Sequence, residues 1–280
     1  MHTTTDDLVE QAKNGNKDAL EEVVRRIQDY IYNLAIRMLL QPADAEDATQ
    51  EILIKIITHL DSFRGESAFT SWVYRIASNH LLSTQKCQAE NNVSTFEDFE
   101  KTLDKGLEES AANTDLEAEQ SLIVREIMIG CTMGMLICLN RDLRLAYILG
   151  DISEMNSDKA AYILNISPAT YRKRLSRART LIRNFMQKKC GLVNPVNPCR
   201  CSRFVGQIEK TRGRKPDNFL FAGHPCRTKK DIVTSEQLQE VDELQRIIVL
   251  FRSHPDYAAP EKFMEGIRDL IDSGKFSFFQ

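Results

Sequence analysis

The stretch SDKAAYILNISPATYRKRLSRARTLIR, Ser157 to Arg183, decides how this chain is read. It predicts a short helix, a tight turn and a basic helix. Leu164, Ile166 and Leu175 are spaced to close a small core between the two helices. Asn165 stands where a left-handed turn residue is wanted, a conformation Asn tolerates better than most residues. Ser167 offers an N-cap, and Pro168 takes the first helical position, where a missing N–H costs nothing. Arg172, Lys173, Arg174, Arg177, Arg179 and Arg183 then crowd one helix. A helix-turn-helix with a positive second helix suits the major groove of DNA. The alternative is a helical hairpin with a solvated basic face, since charge runs commonly do no more than face water.

Just upstream, Leu122, Ile123, Ile127, Met128, Cys131, Met135, Leu136 and Leu139 recur at helical spacing. Leu143, Ala146, Tyr147 and Leu149 continue after a break near Asn140. Cys131 and Cys138 lie among apolar neighbours and read as core residues. Asp151 to Met155 interrupts the run, and Asn156 can cap the next helix. Farther back, from Gln88 to about Glu119, the pattern dissolves. Carboxylates such as Glu97, Asp98, Glu100 and Asp104 outnumber Lys101 and Lys105, which predicts a flexible acidic tether.

The N-terminal part is helical again. Leu20, Val23, Val24, Ile27, Ile31, Leu34, Ala35 and Met38 form one stripe, broken at Gln41 and Pro42. Ala45, Ala48, Ile52, Leu53, Ile56, Ile57 and Leu60 form a second, whose first half carries Asp44, Glu46, Asp47 and Glu51, as suits a helix N-terminus. Phe63 to Ser67 reads as a loop, and Phe69 to Leu81 resumes helical spacing. Phe63, Arg64, Phe69, Trp72, Tyr74, Arg75 and Asn79 mix aromatic, basic and polar groups that could hold an unstacked base. Phe69 and Trp72 at helical spacing are more often core, and pattern alone does not establish a nucleic-acid site.

Across 280 residues the net charge is −3, so nucleic-acid affinity must come from local patches. No apolar run approaches the roughly 20 residues that span a bilayer, and MHTTTDDLVEQ is not a secretory signal. A cytoplasmic protein with no membrane insertion is expected. Its seven cysteines then read as reduced thiols, core residues or metal ligands. There is no Ser/His/Asp set, no His-Glu-x-x-His and no phosphate loop, so an enzyme is not expected.

Two motifs carry a family resemblance. PADAEDATQEILIKI followed by LDSFRGESAFTSWVYRIASN resembles region 2 of the extracytoplasmic-function sigma factors of bacterial RNA polymerase. SPATYRKRLSRAR resembles region 4 of the same family. The match runs from about Asp6 to Lys189. It implies an all-α fold of two small helical domains: region 2 at 6–87 and region 4 at 116–189, joined by the acidic linker at 88–115. It implies a protein that binds core RNA polymerase and promoter DNA, with no cofactor required. Asp44, Glu46, Asp47, Gln50 and Glu51 would meet the polymerase, a carboxylate-rich face suiting a basic partner. Phe63, Arg64, Ser67, Phe69, Arg75 and Asn79 would meet the opened strand at the −10 element. Thr170, Tyr171, Arg172, Lys173, Arg174 and Arg177 would meet the −35 element as duplex, while Leu175 and Ala178 face the core. The linker would thread a basic polymerase channel as an RNA mimic. Ala160, Asn165 and Ala169 depart from the family's usual residues and leave the −35 sequence unreadable. The alternative is a helix-turn-helix regulator that binds duplex DNA without being a polymerase subunit.

Beyond Lys189 the resemblance ends. Residues 190–235 read as a basic, cysteine-containing loop region, and Cys190, Cys199, Cys201 and Cys226, with His224 nearby, are the candidate ligands of a zinc ion. Free thiols are the alternative. Residues 236–280 read as a helical hairpin from the spacing of Leu238, Val241, Leu244, Ile247, Ile248 and Phe251, then Phe263, Met264, Ile267, Leu270 and Ile271. An anti-sigma factor, or this segment itself, is the candidate source of control.

Overall fold

In the computed structural model, which describes residues 4–85, 90, 95–110, 118–213, 215–228, 237–238 and 240–272, Thr4 opens the first helix with a reciprocal cap. Its hydroxyl accepts from the Asp7 amide at 3.2 Å, and the Asp7 carboxylate accepts from the Thr4 amide at 3.1 Å. Helix α1 (Thr5–Lys13) leads into α2 (Lys17–Leu39), capped by Asn16. The eight predicted apolar positions of α2 are all buried. Leu40, at φ 70°, ends α2, and Pro42 opens α3 (Pro42–Thr58) at its first helical position. After a loop comes α4 (Phe69–Ser83). Helices α1, α3 and α4 all pack on α2.

The acidic segment departs from its expected lack of structure. Residues 96–108 form α5 (Phe96–Glu108), capped by Thr95, whose hydroxyl accepts from the Asp98 amide at 3.1 Å. Phe96 and Phe99 pack on Phe185 at ring-centroid distances of 5.3 and 5.4 Å. Glu100 pairs with Lys188 and Lys189 at 2.7 and 2.8 Å, and Asp104 with Lys189 at 2.8 Å. The carboxylates thus bind this chain's own basic helix. Much of the rest of the segment lies outside the described residues.

Next come α6 (Ala118–Cys138) and α7 (Arg141–Tyr147), the latter capped by Asn140, and a π-helical turn at Ile148–Ile152. Then α8 (Ser157–Leu164) is capped by Asn156, and α9 (Pro168–Lys189) by Ser167. Asn165 is left-handed, at φ 53°. Two arginines on α7 tie the two expected domains together. Arg144, 2% exposed, donates to the carbonyls of Leu136, Ile137, Leu139 and Met38 and pairs with Glu90 at 2.9 Å. Arg141 donates to those of Leu81, Thr84 and Gln85. These carbonyls end α6, α2 and α4, where helices leave acceptors unpaired. One guanidinium therefore caps two helices, one from each of the two expected domains.

The segment after Lys189 is more ordered than a loop and is not a hairpin of two paired helices. It forms a 3₁₀ turn at Cys201–Phe204, α10 (Val205–Arg212), β1 (Cys226–Thr228), α11 (Glu243–Arg252), β2 (Asp256–Tyr257) and α12 (Lys262–Asp272). The two short strands pair antiparallel, Cys226 opposite Tyr257, a small exception to the all-α expectation. Glu126 on α6, 2% exposed, accepts from the successive amides of Leu220, Phe221 and Ala222 at 2.8, 2.9 and 2.7 Å, and pairs with Arg212 at 2.7 Å. Helix α11 packs on the π turn, α6 and α9, whereas α12 packs on α2. Asn33 of α2 donates to the Tyr257 carbonyl at 2.7 Å and accepts from its amide at 3.1 Å. One apolar core accordingly runs from Leu8 to Ile267 through both helical bodies and the C-terminal segment. No helix among the described residues is long and apolar enough to cross a membrane.

Candidate DNA and polymerase interfaces

Helix α9 divides its residues between core and solvent. Ser167 caps it by accepting from the Thr170 amide at 3.1 Å, and the Thr170 hydroxyl lies 2.9 Å from that of Ser167. Leu175, Ala178 and Ile182 are buried as their spacing requires. Tyr171 is buried with them, fully enclosed, its hydroxyl donating to the Ala146 carbonyl at 3.2 Å. Burial pushes that hydroxyl's pKa up to about 12. Tyr171 therefore locks α9 to α7 and cannot read DNA. A Cβ on Gly150 would stand 2.6 Å from this hydroxyl and 2.9 Å from Leu175, so the π turn approaches α9 closely only because residue 150 lacks a side chain.

The outer face is different. Ala169, Arg172, Lys173, Ser176 and Arg177 line a shallow open groove. Arg172, Lys173 and Arg177 are exposed and have no ion-pair partner among the described residues. Arg174 instead pairs with Asp142 at 3.0 Å, and Arg179 with the buried Asp151 at 2.5 Å. Three cations therefore face solvent in one row, and two serve the fold.

At the other body, Phe63, Phe69 and Trp72 form an aromatic cluster with ring centroids 5.2 to 5.7 Å apart. Phe63 and Phe69 are 6% and 2% exposed, and Lys13 donates to the Phe63 carbonyl at 2.6 Å. Neither ring offers a face to a base, so both leave the expected −10 set. Arg64, Ser67, Arg75 and Asn79 remain at the surface. Two of these are already engaged. The Tyr162 hydroxyl donates to Ser67 Oγ at 3.0 Å, and Arg75 Nη2 donates to Asn165 Oδ1 at 3.1 Å, with its guanidinium 5.4 Å from the centroid of the Tyr162 ring. The first helix and turn of the helix-turn-helix thus lie on α4.

The acidic start of α3 meets the C-terminal segment. Lys262 pairs with Glu46, Arg268 pairs with Glu21 of α2 at 2.9 Å, and a Cβ on Gly266 would sit 3.5 Å from Gln50 Nε2. Asp47, Gln50 and Glu51 remain exposed, and Asp44 half-buried. Tyr162, Lys262 and Arg268 escaped sequence reading because what they touch is distant in the chain. The one local hint was Tyr162, a large aromatic that the helix's own apolar stripe leaves outside.

The cysteines regroup. Cys131, Cys190, Cys199 and Cys201 line one small cavity of about 20 Å³, whereas Cys226 lies on β1 opposite Tyr257. The expected zinc set is therefore not assembled. Among the described residues no group of three or more His, Cys, Asp or Glu is placed to hold a metal ion. Burial holds the Cys131, Cys190 and Cys201 thiols above their ordinary range and pushes Cys199 up to about 11.

The sequence profile of sigma-70 region 2 matches residues 23–89, from α2 to just past α4. The RNA polymerase sigma-H factor of Pseudomonas aeruginosa is 31% identical over 184 residues, which is 64% of this chain and 92% of that protein. The ECF RNA polymerase sigma-E factor of Escherichia coli is 31% identical over 180 residues, 64% of this chain and 93% of its own. This chain belongs to the ECF sigma factors of the sigma-70 family. Among solved structures, the sigma factor RpoE of Bartonella quintana, crystallised with the anti-sigma factor NepR, is similar at 20% identity with a TM-score of 0.39, over 59% of this chain and 95% of that one. About a third of this sigma factor lies outside its match to the P. aeruginosa and E. coli relatives.

Proposed function

We propose that this sigma factor directs promoter-specific transcription initiation by binding core RNA polymerase through the outer face of α3, and that the arrangement described above is its covered form. Arg172, Lys173 and Arg177 neutralise phosphates or pair with guanine edges at the −35 duplex. Arg64, Ser67, Arg75 and Asn79, with the half-buried Trp72, receive the opened −10 strand. The polymerase performs the chemistry, and the sigma factor contributes binding and strand capture. The reading calls for no cofactor.

The observation that carries the covered form is the pair of contacts from Tyr162 and Asn165 to Ser67 and Arg75. Two promoter elements cannot be read at once while the turn of one reader occupies the surface of the other. Helix α12 adds a second cover, over Glu46 and Gln50, so control from within the chain complements or replaces a separate anti-sigma factor. Reconstitution with core polymerase tests the function: a promoter-specific transcript from a pool of genomic templates is expected. Absence of both transcript and core binding sinks it, and duplex binding without core binding returns the chain to an ordinary helix-turn-helix regulator.

A further inference from the structure

Arg37 is a buried charge with no ion-pair partner among the described residues, and Asp256 acts on it only through space. It is 7% exposed. Its Nη1 donates to the Asn33 carbonyl and side-chain oxygen at 2.9 and 3.0 Å, its Nε has no partner, and no carboxylate pairs with it among the described residues. Burial disfavours a charged guanidinium that lacks a bonded counter-charge, so an anion that reaches it is stabilising. The side chain lines a cavity of about 390 Å³, within the usual range of small-molecule sites. Arg26, Arg227, Arg252, Tyr74 and Tyr257 line the same cavity. Tyr257 is 1% exposed, and its hydroxyl also lacks a partner.

The other guanidiniums are anchored by neighbouring acceptors. Arg26 is held by Glu22 at 2.9 Å, Arg227 by Asp29, and Arg252 by Glu154 at 2.6 Å and the Asp151 carbonyl at 2.6 Å. Asp29 and Asp256 also line the cavity, so four guanidiniums face two carboxylates. Fixed arginine forks around an unsatisfied buried one form the donor array that phosphate groups select. Tyr30, 53% exposed, adds an aromatic face to the lining.

We propose that this cavity binds a small phosphate-bearing anion of nucleotide size, with Arg37 as its central partner. The site goes beyond promoter reading. Its walls come from α2, α4, the π turn, the end of α11 and the β1–β2 pair, so an occupant ties all of them together.

The test is thermal unfolding and calorimetric titration of the full-length protein in phosphate-free buffer at matched ionic strength. The probes are inorganic phosphate, pyrophosphate and guanosine 5′-monophosphate. At least one is expected to raise Tm saturably. In Arg37→Met the affinity should fall about tenfold or more, as expected when a charged partner is lost. That variant should also unfold at a higher temperature than wild type without ligand, because the unpaired charge is gone. Should Arg37→Met not fold, Arg227→Gln, an exposed change, is expected to weaken the same response. Equal binding of phosphate and the nucleotide assigns the site to the free anion, and tighter nucleotide binding assigns the tyrosines to its base or sugar. No saturable shift with any probe, or shifts untouched by the variants, overturns the proposal and leaves a water-filled crevice.

Discussion

Arg75 and Asn165 stand 90 positions apart in the chain and 3.1 Å apart in space. One belongs to the surface expected at the opened strand, the other is the left-handed turn between the two helices of the duplex reader. Asn165→Gly keeps the turn conformation and removes the acceptor, and Tyr162→Phe removes the bond to Ser67. Each lost hydrogen bond at such a part-exposed contact is worth roughly 0.5–1.5 kcal/mol, so the double variant should shift the covered-to-open ratio by about tenfold. Fluorescence energy transfer between dyes on α4 and α8 should report the opening, and tighter binding of −10 single-stranded DNA should accompany it. An unchanged distance distribution would show that these contacts do not hold the two bodies together.

Lys262→Glu with Arg268→Glu should loosen α12 from Glu46 and Glu21. Exposed pairs contribute only ~0.2–1 kcal/mol each, and reversal adds repulsion of similar size. A several-fold gain in affinity for core polymerase is expected in competition binding. This is a cleaner experiment than truncation after Lys189, which would also strip Phe251, Tyr257 and Phe263 from the shared core and bare Tyr147 and Tyr32. Equal affinity in variant and wild type would remove α12 from any role as a cover.

Tyr171 and Arg177 should respond oppositely. Tyr171→Phe is expected to lower stability by about 1 kcal/mol through the lost bond to Ala146, with −35 duplex affinity per folded molecule unchanged. Arg177→Ala should leave stability nearly intact, weaken duplex binding and reduce the salt-dependence slope by about one. A loss of duplex affinity in Tyr171→Phe, measured by anisotropy on fully folded protein, would return that residue to the interface.

Burial holds the His224 imidazole below its ordinary range, where the neutral ring shares a hydrogen bond of 2.7 Å with the Tyr32 hydroxyl. In the unfolded chain the ring titrates near pH 6.5, so below that the unfolded state binds more protons. The stabilisation is complete above about pH 6.5 and fades as pH falls toward the lower folded value. His80, lowered by burial and by Lys55, acts in the same direction. Tm should fall between pH 7 and pH 5, less steeply in His224→Gln. A slope identical in variant and wild type would place the acid sensitivity elsewhere.

The helix-turn-helix was legible because its determinants are local. The Asn165 turn, the Ser167 cap and Pro168 each act within one or two residues of themselves. Helix α5 was not legible, although Phe96, Phe99 and Leu103 have helical spacing. Its carboxylates dominate the composition, and what rewards folding is Phe185 and Lys189, some 85 positions on. Tyr171 failed for a related reason. A tyrosine among arginines reads as a nucleic-acid contact until one knows that Gly150 lets the π turn come within reach of its hydroxyl. Helical spacing leaves Phe69 open to both readings and gives no core signal for Phe63, and the close packing of both rings with Trp72 decides for the core. Residue type alone groups Cys226 with the other thiols of its segment, and its strand pairing with Tyr257 carries it elsewhere.

The bonds between Asn33 and Tyr257 span 224 positions. A ribosome releases the α3 face and both DNA-reading surfaces well before it releases Tyr257, and longer still before α12. At roughly 5–20 residues per second, several seconds separate release of Lys189 from release of α12. In that interval a new chain can already make the contacts of Tyr162 and Asn165 to Ser67 and Arg75 but lacks the α12 cover over Glu46 and Gln50, so its two covers close in a fixed order during synthesis.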